Sequence, residues 1–483
     1  MAEAQQRSKQ AGDEGSESEA LHEQDLLKWR RRNAYYYRWL ERIYQAAVRP
    51  GSRVLHVGCE CGDLLAAVAP GYGVGIDPDE RAIAVARHRF GHLRFEAADP
   101  HTFELTETFD YILICNSLGR WQDIQQVLER LRPATTEKTR IIITYYSYVW
   151  EYLLRLGSLA GLRRPCEYQN WLPPADIANL LYLTGYEVIR TGSHLLLPKR
   201  IPVLSTLCNY GLSPLPGLRL LNLIDVVVAR PVPRVKRDDE LTVSVIVPCR
   251  NERGNIADLV ARIPSMGAWT EILFVDGRSS DGTPEAIEQQ IRAHPERRIR
   301  LLHQGDGIGK GDAVRKGFAA AAGKLLVIQD ADLTAPPEDL PKFYRAWRDG
   351  RGEFINGSRL VYPMEKQAMR FLNLLANKLF GVLFTWLLGQ RFRDTLCGTK
   401  MISREDYELI AAHRAYFGDF DPFGDFDLLF GAVKQNLKVV EVPVTYRART
   451  YGSTNIRRFR HGWLLVKMSW LAFKKIKWLG KVR

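Results

Sequence analysis

At 483 residues the chain is too long for one ordinary hydrophobic core, and length alone predicts two or three domains. With 46% hydrophobic and 25% charged residues it has the composition of folded protein, which excludes disorder over most of its length. Seven cysteines at scattered positions exclude a disulfide framework, and Cys59 and Cys61 are the one close pair, so reduced buried thiols and a cytoplasmic chain are expected.

In chain order, Met1 to about Gln24 is rich in Glu, Gln, Ser and Gly with almost nothing to bury, so residues 1–28 are expected to be a disordered tail. The basic-then-apolar order of a signal peptide is missing there. Val54-Leu55-His56-Val57 then reads as a buried strand running into Gly58, with helical periodicity following through Leu64, Leu65 and Val68. A second strand ends at Gly75-Ile76-Asp77, and Ala97-Ala98-Asp99 follows. Phe109 to Ile114 forms the fourth strand, with Asn116 just beyond it. Strand and helix alternate in this way on both sides of a basic, proline-bearing segment, Ala229 to Thr242. That pattern predicts α/β architecture with two domains in series, joined by an exposed connector at 233–241.

The stretch VLHVGCECGDLL, Val54 to Leu65, resembles the first motif of class I S-adenosylmethionine-dependent methyltransferases. Extended over 29–232, the resemblance implies a Rossmann-like methyltransferase fold with S-adenosylmethionine as its cofactor. It further implies that Gly58 and Gly62 lie along the cofactor, that Asp77 holds ribose hydroxyls and that Asp99 accepts from the adenine amino group. Two departures matter. His56 stands where an acid is common, although a histidine there is more often a packed strand residue. Glu60 replaces the middle glycine, where absence of a Cβ lets backbone approach the cofactor; its carboxylate must swing away from the cofactor's own. Three readings therefore stand together: a second working enzyme, a cofactor-binding regulator, or a fold retained to bind a partner.

The second half opens with the strand Val243 to Val247, Pro248-Cys249-Arg250-Asn251-Glu252, and a helix starting near Asn255. Phe274-Val275-Asp276 ends the next strand, where Glu252 and Asp276 can accept bonds from a ribose or a base edge. Gly307-Ile308-Gly309-Lys310-Gly311 precedes a helix, so its backbone NH groups and Lys310 can approach phosphate. Leu325 to Ile328 then leads into Gln329-Asp330-Ala331-Asp332. Residues two apart share one face of a strand, so Asp330 and Asp332 are expected to share a nucleotide and its metal. An isolated Asp-x-Asp is common at strand ends; its ordered company gives it meaning.

That company, PCRNE, VDGRSSDGT, GKGDAVRKGF, QDADL, NGSR, CGTK and RTYGSTNI, resembles family 2 glycosyltransferases of the GT-A fold, specifically the polyprenyl-phosphate group that includes dolichyl-phosphate mannose synthases. The resemblance implies a GDP- or UDP-linked sugar donor contacted by Pro248, Asn251, Glu252, Asp276 and Lys310. It implies Mg or Mn at Asp330 and Asp332, and a catalytic centre of Asp332 and Arg359, with Asp394 and Lys400 on the acceptor side. In one departure Gly277 stands where the family often has a second Asp, which leaves base preference open. A polyprenyl phosphate is an anionic nucleophile that needs cationic positioning, for which Arg359, Lys400, Arg447 and Arg449 are candidates. A hydroxyl acceptor would instead need a carboxylate base, with Asp425 or Asp427 suited and Asp394 behind them. The cluster from Phe417 to Phe430 reads equally as a folded loop cap.

Part of the formal net charge of +13 sits at the end of the chain, where Glu441 is the last acidic residue. Apolar interleaving, including Trp463, Val466, Trp470 and Phe473, favours a membrane surface over a nucleic-acid arm. Residues 461–483 are thus expected to form a basic amphipathic surface helix after a glycosyltransferase domain at 242–460. Phe371 to Leu388 barely reaches the roughly 20 apolar residues needed to span a bilayer and has arginines near both ends. It is expected to lie in the interface, making the protein peripheral to the cytoplasmic membrane; a buried core helix is the competing reading.

Overall fold

The computed structural model describes residues 28–162, 168–307, 309–363, 371–414, 424–449, 451 and 458–477. The expected N-terminal tail, most of RTYGSTNI, the cap from Phe417 to Phe423, the side chain of Asp425 and the last six residues lie outside the described residues. The chain divides between Val232 and Pro233 into two compact units.

The first unit is built on seven strands: β1 (Arg53–Val57), β2 (Tyr72–Asp77), β3 (Arg94–Ala97), β4 (Tyr111–Cys115), β5 (Arg140–Tyr146), β6 (Tyr186–His194) and β7 (Ile224–Pro231). Their order is β3-β2-β1-β4-β5-β7-β6. Neighbours from β3 to β5 are parallel, and β7 runs antiparallel to both β5 and β6. Alternate residues of one strand enter opposite cores, as a sheet covered on both faces requires. Thus Val54 packs with Leu113, Ile142 and the helix Ala34–Ala47, whereas Leu55 and Val57 pack with Ile112, Ile114 and Leu128. Strand order reverses at β1, whose neighbours are β2 and β4, and a ligand crevice opens outside the carboxyl ends of strands at such a point.

The second unit repeats the logic with β8 (Thr242–Cys249), β9 (Trp269–Asp276), β10 (Arg298–His303), β11 (Leu325–Ile328), β12 (Phe354–Ser358), β13 (Lys400–Ser403) and β14 (Val439–Pro443). Here the order is β10-β9-β8-β11-β13-β12-β14, with β13 antiparallel to both its neighbours. Ile246 of β8 enters a core with Leu273, Phe318 and Phe384, while Val245 and Val247 enter one with Phe274 and Leu340.

In the segment read as an exposed connector, Arg234, Val235, Arg237, Asp238 and Asp239 are exposed, and both ends are also engaged. Ala229, Arg230 and Pro231 belong to β7, where Arg230 is buried against Glu187. Beyond them, Lys236 N–H donates to Arg348 O at 3.0 Å and Asp238 accepts from Tyr344 at 2.8 Å and Arg348 at 3.1 Å. The segment faces solvent, as its charge and proline content suggest, while its ends also find partners far away in sequence.

The helix Phe371–Leu388 combines the two readings made of it. Phe384, Leu387 and Leu388 are core residues, whereas Leu375, Leu379 and Val382 form an exposed apolar stripe at helical spacing. The helix Arg458–Ala472 buries Met468 and Ala472 in the same core and exposes Trp463, Val466 and Trp470. Trp386 stacks on Phe473 at 5.7 Å, so the two helices adjoin. Among the described residues no helix is long and apolar enough to cross a membrane.

Candidate active site

In the second unit, the carboxyl ends of β8, β9 and β11 bring the sequence-predicted acids together. Cys249 and Asp276 are register partners, so Pro248 and Asp276 end adjacent strands. Asp276 is buried and accepts from the backbone NH groups of Arg278 at 3.1 Å and Ser279 at 3.3 Å. Asn251, at φ +57°, ties the two loops: its N–H donates to Ser279 Oγ and its Oδ1 accepts from Ser280 N–H, both at 2.9 Å. Its side chain is thus engaged in shaping the loop. Glu252 accepts from Asn255 at 2.7 Å; burial pushes its carboxyl up, opposed by Arg449 and Asn255.

The expectation that Asp330 and Asp332 share a strand face is corrected. β11 stops at Ile328, and both acids stand in the turn beyond it, which includes Leu333 at φ +56°. They face different cations. Lys310, at the start of the helix Lys310–Ala320, lies 2.5 Å from Asp330 Oδ1. Burial works against the Asp330 anion, but Lys310 outweighs it, aided by Lys400 and Arg359, and the carboxyl is held below its ordinary value. Asp332 accepts from Thr334 N–H at 3.1 Å and Thr334 Oγ1 at 2.8 Å, and meets Arg449 at 2.5 Å. Arg449 also lies 3.7 Å from Glu252, so one guanidinium bridges acids from two loops.

Gly398 is a contributor that the pattern of acids and bases did not single out, although it sits inside CGTK. A Cβ there would lie 2.1 Å from Asp330 Oδ2 and 2.5 Å from Lys310 Nζ, so any larger residue would force one of these two side chains to shift from its present position. Tyr451 is another: its ring lies against Gly254 and its hydroxyl is 3.4 Å from Asp281.

The residues assigned to the acceptor side take different positions. Asp394 is fully buried and accepts from Arg359 Nε at 2.7 Å, Arg359 Nη2 at 2.8 Å, and the backbone NH groups of Arg359 and Leu396. It positions Arg359, whose guanidinium also lies 5.1 Å from the Tyr446 ring centroid. Lys400 is buried in β13 and donates to Cys397 O. Arg447 is exposed, with its backbone N–H on Thr334 O at 2.9 Å. Asp427 pairs with Arg414 at 2.7 Å.

In the first unit the crevice lies beside Gly58 and Gly62, at φ +76° and +77°. Asp77 ends β2 and accepts from Glu60 N–H at 2.9 Å and Asp79 N–H at 3.0 Å. Burial pushes its carboxyl up to about 6, with those two bonds opposing. Glu60 takes φ +48°, the backbone a glycine would hold, and its carboxylate is 3.6 Å from Arg120. The side chain is 43% exposed, and its charge acts on Asp77, Tyr37 and Cys115, so it stands at the crevice. Asp99 is also exposed, bonded to His101 through N–H at 2.9 Å and Nδ1 at 2.8 Å. Burial pushes His56 down to about 3, the behaviour of a packed neutral strand residue. Asn116, at φ +54°, donates to Tyr36 at 2.7 Å, and Tyr36 stacks on Tyr146 at 5.9 Å. This aromatic wall joins residues about a hundred positions apart and has no local signature.

Residues 244–410 match the family model "Glycosyl transferase family 2", and residues 55–141 match the model "Methyltransferase domain". The chain is 29% identical over 249 residues to "Dolichol-phosphate mannosyltransferase" of Pyrococcus furiosus, covering 50% of this chain. That match spans 66% of the relative, just under two thirds of its length. The "Polyprenol monophosphomannose synthase" of Mycolicibacterium smegmatis is 30% identical over 214 residues, 43% of this chain and 78% of that one. Among solved structures, a Thermotoga maritima protein described as a SAM-dependent methyltransferase, possible histamine N-methyltransferase, is similar at TM-score 0.35 and 14% identity. It covers 43% of this chain and 94% of its own. With a methyltransferase domain ahead of it in the same chain, the second unit makes this protein a member of glycosyl transferase family 2.

Proposed function

We propose that the second unit transfers a sugar from a GDP- or UDP-linked donor to a polyprenyl phosphate at the cytoplasmic face of a membrane. The observation that carries this reading is the pairing of every strand-end acid of the Asp-x-Asp turn with a cation: Asp330 with Lys310, and Asp332 with Arg449. Such a site has the charges to hold a diphosphate and to lose it. Lys310, at a helix N-terminus, would meet donor phosphate, while Glu252 and Asp276 would accept from the nucleoside. Mg²⁺ is ordinarily held by one or two carboxylates together with substrate phosphates, and Asp330 or Asp332 would join such a set once donor phosphate draws Lys310 or Arg449 away. Mg or Mn bound there would offset charge developing on the leaving diphosphate.

A phosphate acceptor is supported over a hydroxyl by the pairing of two of the three candidate bases, Asp394 and Asp427, with Arg359 and Arg414; the side chain of the third, Asp425, lies outside the described residues. A phosphate monoester arrives ionised and needs to be aimed, a task for Arg359, Arg447 and Arg449. The exposed stripes Leu375–Leu379–Val382 and Trp463–Val466–Trp470 supply a surface on which the lipid could be met. Both relatives are named for mannose, which makes a mannose donor the first to try.

The test is incubation of the full chain and membranes with radiolabelled nucleotide sugars. Organic-soluble label that disappears in Asp332→Ala is the expected result. Label confined to aqueous glycan would transfer the assignment to a hydroxyl acceptor, and no transfer from any donor would overturn it. For the first unit we propose S-adenosylmethionine binding, supported by the Asp77 carboxylate beside the crevice and tested by calorimetry with the full chain.

A further inference from the structure

The first unit carries an apolar surface that neither reading above uses. The helix Glu151–Leu159 has no buried residue, and neither does the 3₁₀ turn Leu218–Leu221. Tyr152, Leu156 and Leu159 are 75%, 62% and 86% exposed, and Val203, Leu207 and Leu220 are 82%, 56% and 67% exposed. Apolar residues scattered singly over a surface are ordinary, but these are concentrated in two segments that touch. Trp150 Nε1 donates to Leu221 O at 2.8 Å, Ser147 N–H to Leu223 O at 2.9 Å, and Ser193 Oγ to Arg219 O at 2.8 Å.

Topology places this surface at one edge of the sheet. β5 and β6 end at Tyr146 and His194, and both residues pair with Ile224 where β7 begins. That edge holds the carboxyl ends of β1 and β4, where the crevice lies, and the stack of Tyr36 on Tyr146 connects the two regions. Charge identifies the occupant. From Val188 to Ile224 there is no Asp or Glu, while Lys199, Arg200 and Arg219 are present. Arg200 and Arg219 are exposed beside the apolar residues. The other segment carries one acid, Glu151, paired with Arg155 at 2.5 Å, so the surface keeps a net excess of cations. Exposed leucines interleaved with such an excess are the chemistry of an anionic bilayer surface.

We infer that the first unit docks on an anionic phospholipid bilayer through the segments 148–162 and 201–221, so that its crevice faces the lipid. This attachment is separate from the one proposed for the second unit and does not depend on sugar transfer.

Hydrogen exchange followed by mass spectrometry on the full chain tests it, with vesicles of phosphatidylcholine alone or mixed with phosphatidylglycerol. Exchange in both segments should slow about tenfold on the mixed vesicles. The helix Pro174–Leu183, which ends at the opposite edge of the sheet, should be unchanged. Leu156→Glu combined with Leu220→Glu alters only exposed side chains and should abolish the slowing while leaving segment 458–477 as it was. Slowing confined to 458–477 in the unaltered protein overturns the inference. So does equal slowing on neutral vesicles, slowing that persists in the double variant, or slowing without vesicles that grows with protein concentration and thus reports a second copy.

Discussion

Replacing Asp394 by Asn keeps the shape of the side chain and removes its charge. In the native pair one carboxylate oxygen accepts from Arg359 Nε at 2.7 Å and Arg359 N–H at 3.1 Å, and the other from Arg359 Nη2 at 2.8 Å and Leu396 N–H at 3.0 Å. Asn can present one oxygen; its amide nitrogen would turn donors toward donors on the other side. With Asp394 fully buried, the guanidinium is left without its counter-charge, a change that costs about 3–5 kcal/mol. For a unit of this size that corresponds to a fall of roughly 10 °C in the melting temperature. Calorimetry of the full chain, following the transition of the second unit, is the assay. The double variant Arg359→Met with Asp394→Leu should recover most of that loss, because a buried pair exchanged for packed apolar groups is close to neutral. Sugar transfer should stay absent in it, since the positioned cation is gone. If Asp394→Asn melted within about 2 °C of the parent while losing transfer, Asp394 would be a chemical base and the positioning argument would fail. The pH dependence has a definite sign. Burial opposes ionisation of Asp394, but Arg359 outweighs it and holds the carboxyl below its ordinary value. The pair's contribution is therefore fully present above about pH 4 and is lost only as pH falls through the lower folded value.

Gly398→Ala should abolish transfer with little change in melting temperature, because the new methyl group must displace the Asp330 carboxylate or Lys310. Retained transfer would mean that their contact is incidental. Asp77 titrates near pH 6 because of burial, and as a hydrogen-bond acceptor for a ribose it must be ionised. S-adenosylmethionine affinity measured by calorimetry should therefore weaken about tenfold from pH 7 to pH 5, and a flat profile would remove Asp77 from the binding step. The same raised value means that Asp77 favours the folded state at low pH, a contribution lost as pH rises through about 6. Glu60→Gly relieves a left-handed backbone and removes only an exposed contact with Arg120, so the first unit should gain roughly 1 kcal/mol or less. Its cofactor affinity should rise by up to about tenfold, because a negative charge close enough to act on Asp77 is removed; an unchanged affinity would mean that Glu60 does not face the cofactor.

Short apolar runs and the punctuation after them are local properties, and they marked β1, β8, β9 and β11 directly in the sequence. The strand-end acids Asp77, Asp276, Asp330 and Asp332 were legible for the same reason: a carboxylate just past a buried run must lie at the sheet's edge. The glycine-rich stretch before a helix marked Lys310, and the family resemblance extended the site to Arg359 and Asp394. What those side chains touch depended on chain segments far away. Arg449 reaches Asp332 and Glu252 across 117 and nearly 200 positions, and Asp394 meets Arg359 across 35. Residue type had suggested that Asp394 and Asp427 were available as bases, but the tertiary structure commits both to arginines. Periodicity could not tell whether Phe371–Leu388 was core or surface, because its few polar residues do not mark one outer face and Asn377 is itself buried; packing against Phe426 and Phe430 decided which face is buried. Sequence determined where strands end and which acids stand there, since those are set by neighbours a few residues away. Only the fold decided which charge neutralises which, because ion pairs form across loops whose spacing the chain's order does not encode.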